Sequence, residues 1–91
     1  MIILSVNAGS SSLKFSLFEM PEGVELVNGY FEKIGLSDSF YSIKINGEKI
    51  IRDKRVDTHK KAVEYLCEEL IENGIINSMD EIKGIGHRIV N

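Results

Sequence analysis

The chain has 91 residues, 11 of them Lys or Arg and 14 Asp or Glu, for a formal net charge of −3, with 43% hydrophobic and 27% charged residues. With 8 glycines, one proline and one cysteine, this is ordinary globular usage, which excludes disordered, collagen-like and disulfide-scaffold classes. The mild acidity argues against nucleic acid as a partner, because phosphate backbones are gripped by clustered Lys and Arg and the basic runs stop at pairs such as Lys60-Lys61.

A lone Cys67 rules out an internal disulfide and fits a reducing cytosol. Met1-Ile2-Ile3-Leu4-Ser5-Val6 has no basic n-region, and no stretch approaches the ~20 apolar residues of a membrane span. A cytoplasmic chain with no membrane partner is the expectation. A domain this small buries only somewhat more than roughly 60% of its unfolded surface, so a sizeable substrate cleft needs more protein.

In chain order, Ile2 to Val6 is a short apolar run ending in Asn7-Ala8-Gly9-Ser10-Ser11-Ser12, and Leu13, Phe15 and Leu17 resume at period two. That is strand, polar turn, strand. If the strands alternate, Ile3, Ser5 and Asn7 share one face against Ile2, Leu4 and Val6, and Lys14, Ser16 and Phe18 oppose Leu13, Phe15 and Leu17. Met20-Pro21-Glu22-Gly23 marks a second turn, Val24 to Ile34 a third strand, and residues 35–39 a loop. Phe40 to Ile45 and Glu48 to Arg55 flank Asn46-Gly47, which suits the two positive φ values of a type I′ hairpin.

From Asp57 the period becomes helical, with Ala62, Val63, Leu66, Cys67, Leu70 and Ile71 on one side. Asp57 or Thr58 is placed to cap this helix and Gly74 to end it. The acids from Glu64 to Glu72 read as its solvated face, Cys67 as core, and His59, in the first turn, as solvated. A short turn or helix at 78–81 leads to a last strand through Lys83-Gly84-Ile85-Gly86-His87-Arg88-Ile89-Val90-Asn91. The order implies an α/β fold: a mixed sheet whose helix crosses over, so that the final strand lies parallel to an earlier one.

The sharpest chemistry is Asn7-Ala8-Gly9-Ser10-Ser11-Ser12-Leu13-Lys14, one glycine, three hydroxyls, a carboxamide and an ammonium in one turn. Successive amides and serine hydroxyls suit an anion, Lys14 brings charge to a phosphate, and Asn7, at the mouth of the turn, is placed to hold a hydrated metal. It is not a Walker loop, which has a second glycine before its lysine and a helix after it. Composition alone weighs an ordinary polar hairpin equally, since Gly and Ser are common turn residues.

Taken together, Asn7 to Lys14 and Gly84-Ile85-Gly86-His87-Arg88-Ile89-Val90 resemble the amino-terminal part of the acetate kinase family. The resemblance runs over the whole chain; propionate kinases are similar in the same places and butyrate kinases more loosely. It implies part of an actin, Hsp70 and sugar-kinase-like (ribonuclease H-like) domain, with residues 1–91 a single amino-terminal piece of a larger two-domain kinase. The implied reaction is reversible transfer of the ATP γ-phosphoryl group to acetate, giving acetyl phosphate and ADP, with Mg2+ as cofactor and a cytoplasmic homodimer as the whole enzyme. Residue by residue, Asn7 matches the magnesium-site asparagine, Lys14 the ATP-binding lysine, Ser10 and Ser12 hydroxyls of the phosphate turn, and Arg88 the arginine that binds the carboxylate substrate. The family's catalytic aspartate and transition-state histidine match positions beyond Asn91, so these 91 residues carry no catalytic residue and are expected to be inactive alone. His87 receives no role, and Asn91 stands where the family often has histidine. The alternatives are a propionate or butyrate kinase, or a free-standing binding or assembly module built on an actin-like half-sheet.

Overall fold

The computed structural model describes the backbone of residues 1–89 and the side chains of residues 1–86. Six strands form one sheet in the order β5-β4-β3-β2-β1-β6: β1 Ile2–Ala8, β2 Leu13–Glu19, β3 Val24–Glu32, β4 Phe40–Ile45, β5 Glu48–Asp53 and β6 Ile82–Ile89. The first five make an antiparallel meander. Helix α1, His59–Glu72, and a single 3-10 turn, Met79–Glu81, then carry the chain to the other side of β1, where β6 pairs in parallel. The mixed sheet with a crossover helix is therefore the one expected from the sequence. The part of the last strand assigned to Val90 and Asn91 lies outside the described residues. No described helix is long and apolar enough to cross a membrane.

The period-two pattern does what alternation requires. Leu4, Leu17, Phe31 and Ile43 point to one face of the sheet and are fully buried with Leu66 and Leu70 of α1. Gly29 belongs to this packing through its missing side chain: a Cβ there would lie 2.1 Å from the Ser42 carbonyl oxygen and 2.7 Å from the Phe15 ring on the neighbouring strand. Only glycine permits that approach.

The local signals are met where their chemistry is local. Asn46 and Gly47 have φ of +53° and +81°, closing the β4–β5 hairpin in two residues. Thr58 is the cap of α1, accepting the Lys61 amide at 3.1 Å, and Gly74 follows the helix at φ +72°. Cys67 is buried, and burial pushes its thiol pKa up. The third strand ends at Glu32 rather than Ile34, because Lys33 turns left-handed at φ +57° and the Ile34 amide leaves the ladder to bond the Ser11 carbonyl at 2.8 Å.

One helix acid departs from expectation. Glu64, Glu68 and Glu72 are exposed, but Glu69 is buried at 4%. It lies three residues after Leu66 and seven after Ala62, within the inward stripe. Its carboxylate accepts hydrogen bonds from the Tyr41 hydroxyl and, at 2.9 Å, from Arg52 Nε. Burial pushes the Glu69 pKa up, but these donors outweigh it and hold the group below the ordinary carboxylate value. Burial, and then the bond to Glu69, push Tyr41 up.

Candidate functional site

The sheet has a second face. The alternation that buries Leu13, Phe15 and Leu17 turns Lys14 and Ser16 away from the core, and burial of Leu4 and Val6 does the same for Ser5 and Asn7. Register then lines the polar residues up across the strands. Asn7 sits opposite Lys14, and Lys14 opposite Tyr30, so their Cβ atoms share a face at about the 5 Å of directly opposed pairs. On the far side of β1 the parallel register brings the backbone of Arg88 to Asn7. The side chains of Arg88 and His87 lie outside the described residues. A depression of about 390 Å³ opens on this face, lined by Ser5, Asn7, Lys14, Ser16, Asn28 and Tyr30.

At the end of this face the chain turns through residues 9–12. The turn is closed by the Gly9 amide donating to the Ser12 carbonyl at 2.9 Å, and it is tied down from behind by two segments distant in sequence. The Ile34 amide takes the Ser11 carbonyl, while His59 Nε2 lies 2.7 Å from the Gly9 carbonyl oxygen and 3.1 Å from that of Ser12. His59 is therefore half-buried against the turn and not solvated, contrary to the reading of the helix's first turn. The reason is its entry geometry. Val56 is buried, its amide donating to Ser39 Oγ at 2.7 Å and its carbonyl accepting from Gly35, and the Thr58 cap then starts α1 with its first side chain over the turn.

Ser10 and Lys14 are exposed and Ser12 and Asn7 half-buried, so hydroxyls, an ammonium and a carboxamide are offered from one end of the β1–β2 hairpin. Lys14 puts positive charge beside the turn, while the carboxylate that lines the same depression, Glu25, stands at its other end opposite Phe18; the ammonium with its neighbouring hydroxyls suits an anion with several oxygens. A metal ion would meet neutral oxygens: among the described residues no three His, Cys, Asp or Glu side chains gather to form a cage. Asn7 as a single protein ligand fits a hard ion that keeps most of its water and shares phosphate oxygens, the habit of Mg2+. The sequence pattern did not single out His59, Ile34 or Tyr30. Tyr30 had only its place in an alternating strand as a signal, and the clamp from His59 and Ile34 had none.

Comparisons with known proteins identify the relatives of this chain and its fold. The sequence profile of the Acetokinase family matches residues 2–91. Acetate kinase of Bacillus mycoides is 53% identical over 88 residues, which are 97% of this chain and 22% of that protein. The crystal structure of Porphyromonas gingivalis acetate kinase superposes with a TM-score of 0.91 at 42% identity, over 99% of this chain and 23% of that one. A propionate kinase from Francisella tularensis gives 0.82 at 33% identity, over 99% and 22% respectively. The chain thus spans about a fifth of the length of the relatives it matches. These neighbours have the actin, Hsp70 and sugar-kinase-like fold, and the mixed sheet with its crossover helix is part of it.

Proposed function

The chain belongs to the acetokinase family, and from that membership we propose that it serves as the amino-terminal, phosphate- and acid-binding part of an ATP-dependent acetate kinase. The reaction is reversible transfer of the γ-phosphoryl group to a carboxylate oxygen, giving acetyl phosphate and ADP. The observation that supports the site most is the register: residues 7 and 14, opposed across one hairpin, and residue 88, more than seventy positions further along the chain, fall on one transverse line across β2, β1 and β6. Phosphoryl transfer is catalysed chiefly by positioning and by stabilising spread negative charge, and a row of this kind supplies both.

In this reading Lys14 pairs with the ATP phosphates and Ser10 and Ser12 donate hydroxyls to them. Asn7 is the residue of this chain that would hold Mg2+, which supplies neutralisation of phosphate charge when bound. Arg88 grips the substrate carboxylate through two parallel N–H bonds, a fork that lysine does not reproduce. Residues 1–91 then act as one piece of a two-domain enzyme, with the groups that orient the transferring phosphoryl supplied by the rest. A cytoplasmic homodimer belongs to the same proposal.

Steady-state kinetics of the full-length protein, with ATP and acetate varied separately, test it. Arg88→Ala should lower kcat/KM for acetate by about 30-fold to several thousand-fold, as removal of one partner of a buried charge pair costs about 2 to 5 kcal/mol. The KM for ATP should move far less, and Arg88→Lys should restore only part of the loss. Equal losses toward both substrates, or a near-normal lysine variant, would remove Arg88 from the acid site. Comparing kcat/KM for acetate, propionate and butyrate decides the acyl group. A longer protein that makes no acyl hydroxamate with any of them would leave the binding-module reading. Residues 1–91 by themselves are expected to give none.

A further inference from the structure

We propose that His59 is the positioning residue of the serine turn: by donating Nε2–H to two backbone carbonyls it fixes the peptide planes that present amides, and not carbonyl oxygens, to a phosphate. This rests on the phosphate-binding reading above. The partners of Nε2 at 2.7 and 3.1 Å are the carbonyl oxygens of Gly9 and Ser12. Neither oxygen carries a proton, so the ring nitrogen must donate. That donor exists both in the neutral ring protonated at Nε2 and in the imidazolium cation.

The consequence follows from the planarity of the peptide bond. In a trans peptide the C=O and the next N–H point in opposite directions. Drawing the Gly9 carbonyl back onto His59, and the Ser11 carbonyl onto the Ile34 amide at 2.8 Å, turns the amides of Ser10 and Ser12 the other way, off the body of the protein. The Gly9–Ser10 peptide needs such a restraint most, because glycine tolerates both orientations of the plane. A flip there would replace an amide with a carbonyl oxygen and repel the same anion. The Ser11 carbonyl is held by main chain and the Ser12 carbonyl is shared with the Gly9 amide, whereas the Gly9 carbonyl is held by the His59 side chain. His59 therefore governs the sign of the dipole at the first serine.

The test uses the full-length protein with His59→Leu, which keeps bulk and loses the donor, and His59→Gln, whose amide nitrogen reaches about as far as Nε2. Leaving the Gly9 carbonyl without its donor, and the Ser12 carbonyl with the Gly9 amide alone, should raise the KM for ATP at least about tenfold in the leucine variant, with the KM for acetate moving less than about twofold. The glutamine variant should recover most of the loss. Equal losses toward both substrates, or a glutamine variant as impaired as leucine, would overturn the proposal. Nitrogen-15 NMR gives a readout independent of turnover, with the His59 signals assigned by their absence from the glutamine variant. Nε2 protonated at neutral pH is expected, and a neutral ring protonated at Nδ1 would overturn the clamp. A protein that transfers no phosphoryl group would refute the kinase reading, while the nitrogen signature and equilibrium binding of ATP would still decide His59.

Discussion

On β2 the side chains of Leu13, Phe15 and Leu17 are sealed under α1, while Lys14 and Ser16, one residue away in each case, line an open depression with Asn7 and Tyr30. The strands are shared, yet the two faces obey different physics. The inner face is held by removal of apolar surface from water and by close packing, so its energy depends on shape. The outer face holds polar groups that add little to folding and whose strength appears only when an ion of opposite charge displaces water. The lesson is that period-two alternation separates stability from binding at the cost of a single residue of register. A one-residue slip would exchange the two sets entirely.

This separation can be attacked from both sides. The largest stability effect is expected for Phe31→Ala: Phe31 is fully buried, with ring centroids 5.9 Å from Phe15 and 4.7 Å from Tyr41. Its truncation should cost about 3–5 kcal/mol in denaturant unfolding, while the protein that remains folded keeps its affinity for ATP. Lys14→Ala should do the reverse. Its ATP affinity should fall about 10- to 100-fold, the range for a hydrogen bond to a charged group, with stability within about 0.5 kcal/mol of the parent. A Lys14 variant that unfolds, or a Phe31 variant that is stable but does not bind, would erase the distinction between the faces.

Glu69 sharpens it, being a charge placed on the inner side. Its pKa is held below the ordinary value of 4.5, so its contribution is fully present above that pH and is lost as the pH falls through the lower, folded-state value. Glu69→Gln keeps an acceptor for Tyr41 and should cost about 1 kcal/mol at neutral pH. Its stability should fall less steeply than that of the parent below pH 4.5, as urea midpoints across that range will read. If the two proteins lose stability in parallel there, Glu69 is not a source of the acid limb. A loss of the same size, with no pH dependence and no effect on binding, belongs to Gly47→Ala at the far hairpin, where φ of +81° costs a side-chain-bearing residue about 1 kcal/mol. ATP affinity should be unchanged, because this turn lies beyond β3 from Lys14.

The two hairpin turns show how much was legible before the fold was known. Asn46-Gly47 was readable because both positive φ values are properties of those two residues alone. The polarity of Asn7 to Lys14, the faces of β1 and β2 and the start of α1 were readable for the same reason: each depends on neighbours within a few positions. The orientation of the serine turn was not. Its carbonyls are held by His59, 50 and 47 residues away from Gly9 and Ser12, and by the amide of Ile34. Glu69 was misplaced on a solvated face because its partners Tyr41 and Arg52 lie 28 and 17 residues earlier.

By itself, then, the sequence determined which residues alternate, that Asn46-Gly47 and Gly74 turn left-handed, where the helix begins and which turn carries hydroxyls, amide and ammonium. These follow from steric limits and periodicity that act along the chain. Only the tertiary structure decided that β6 returns beside β1 to set residue 88 against Asn7, that a helix histidine closes on the serine turn, and that one acid of α1 is buried. Those outcomes depend on strand pairing and on which donors meet which acceptors once the sheet is assembled, and hydrogen bonds between distant segments leave no period in a sequence.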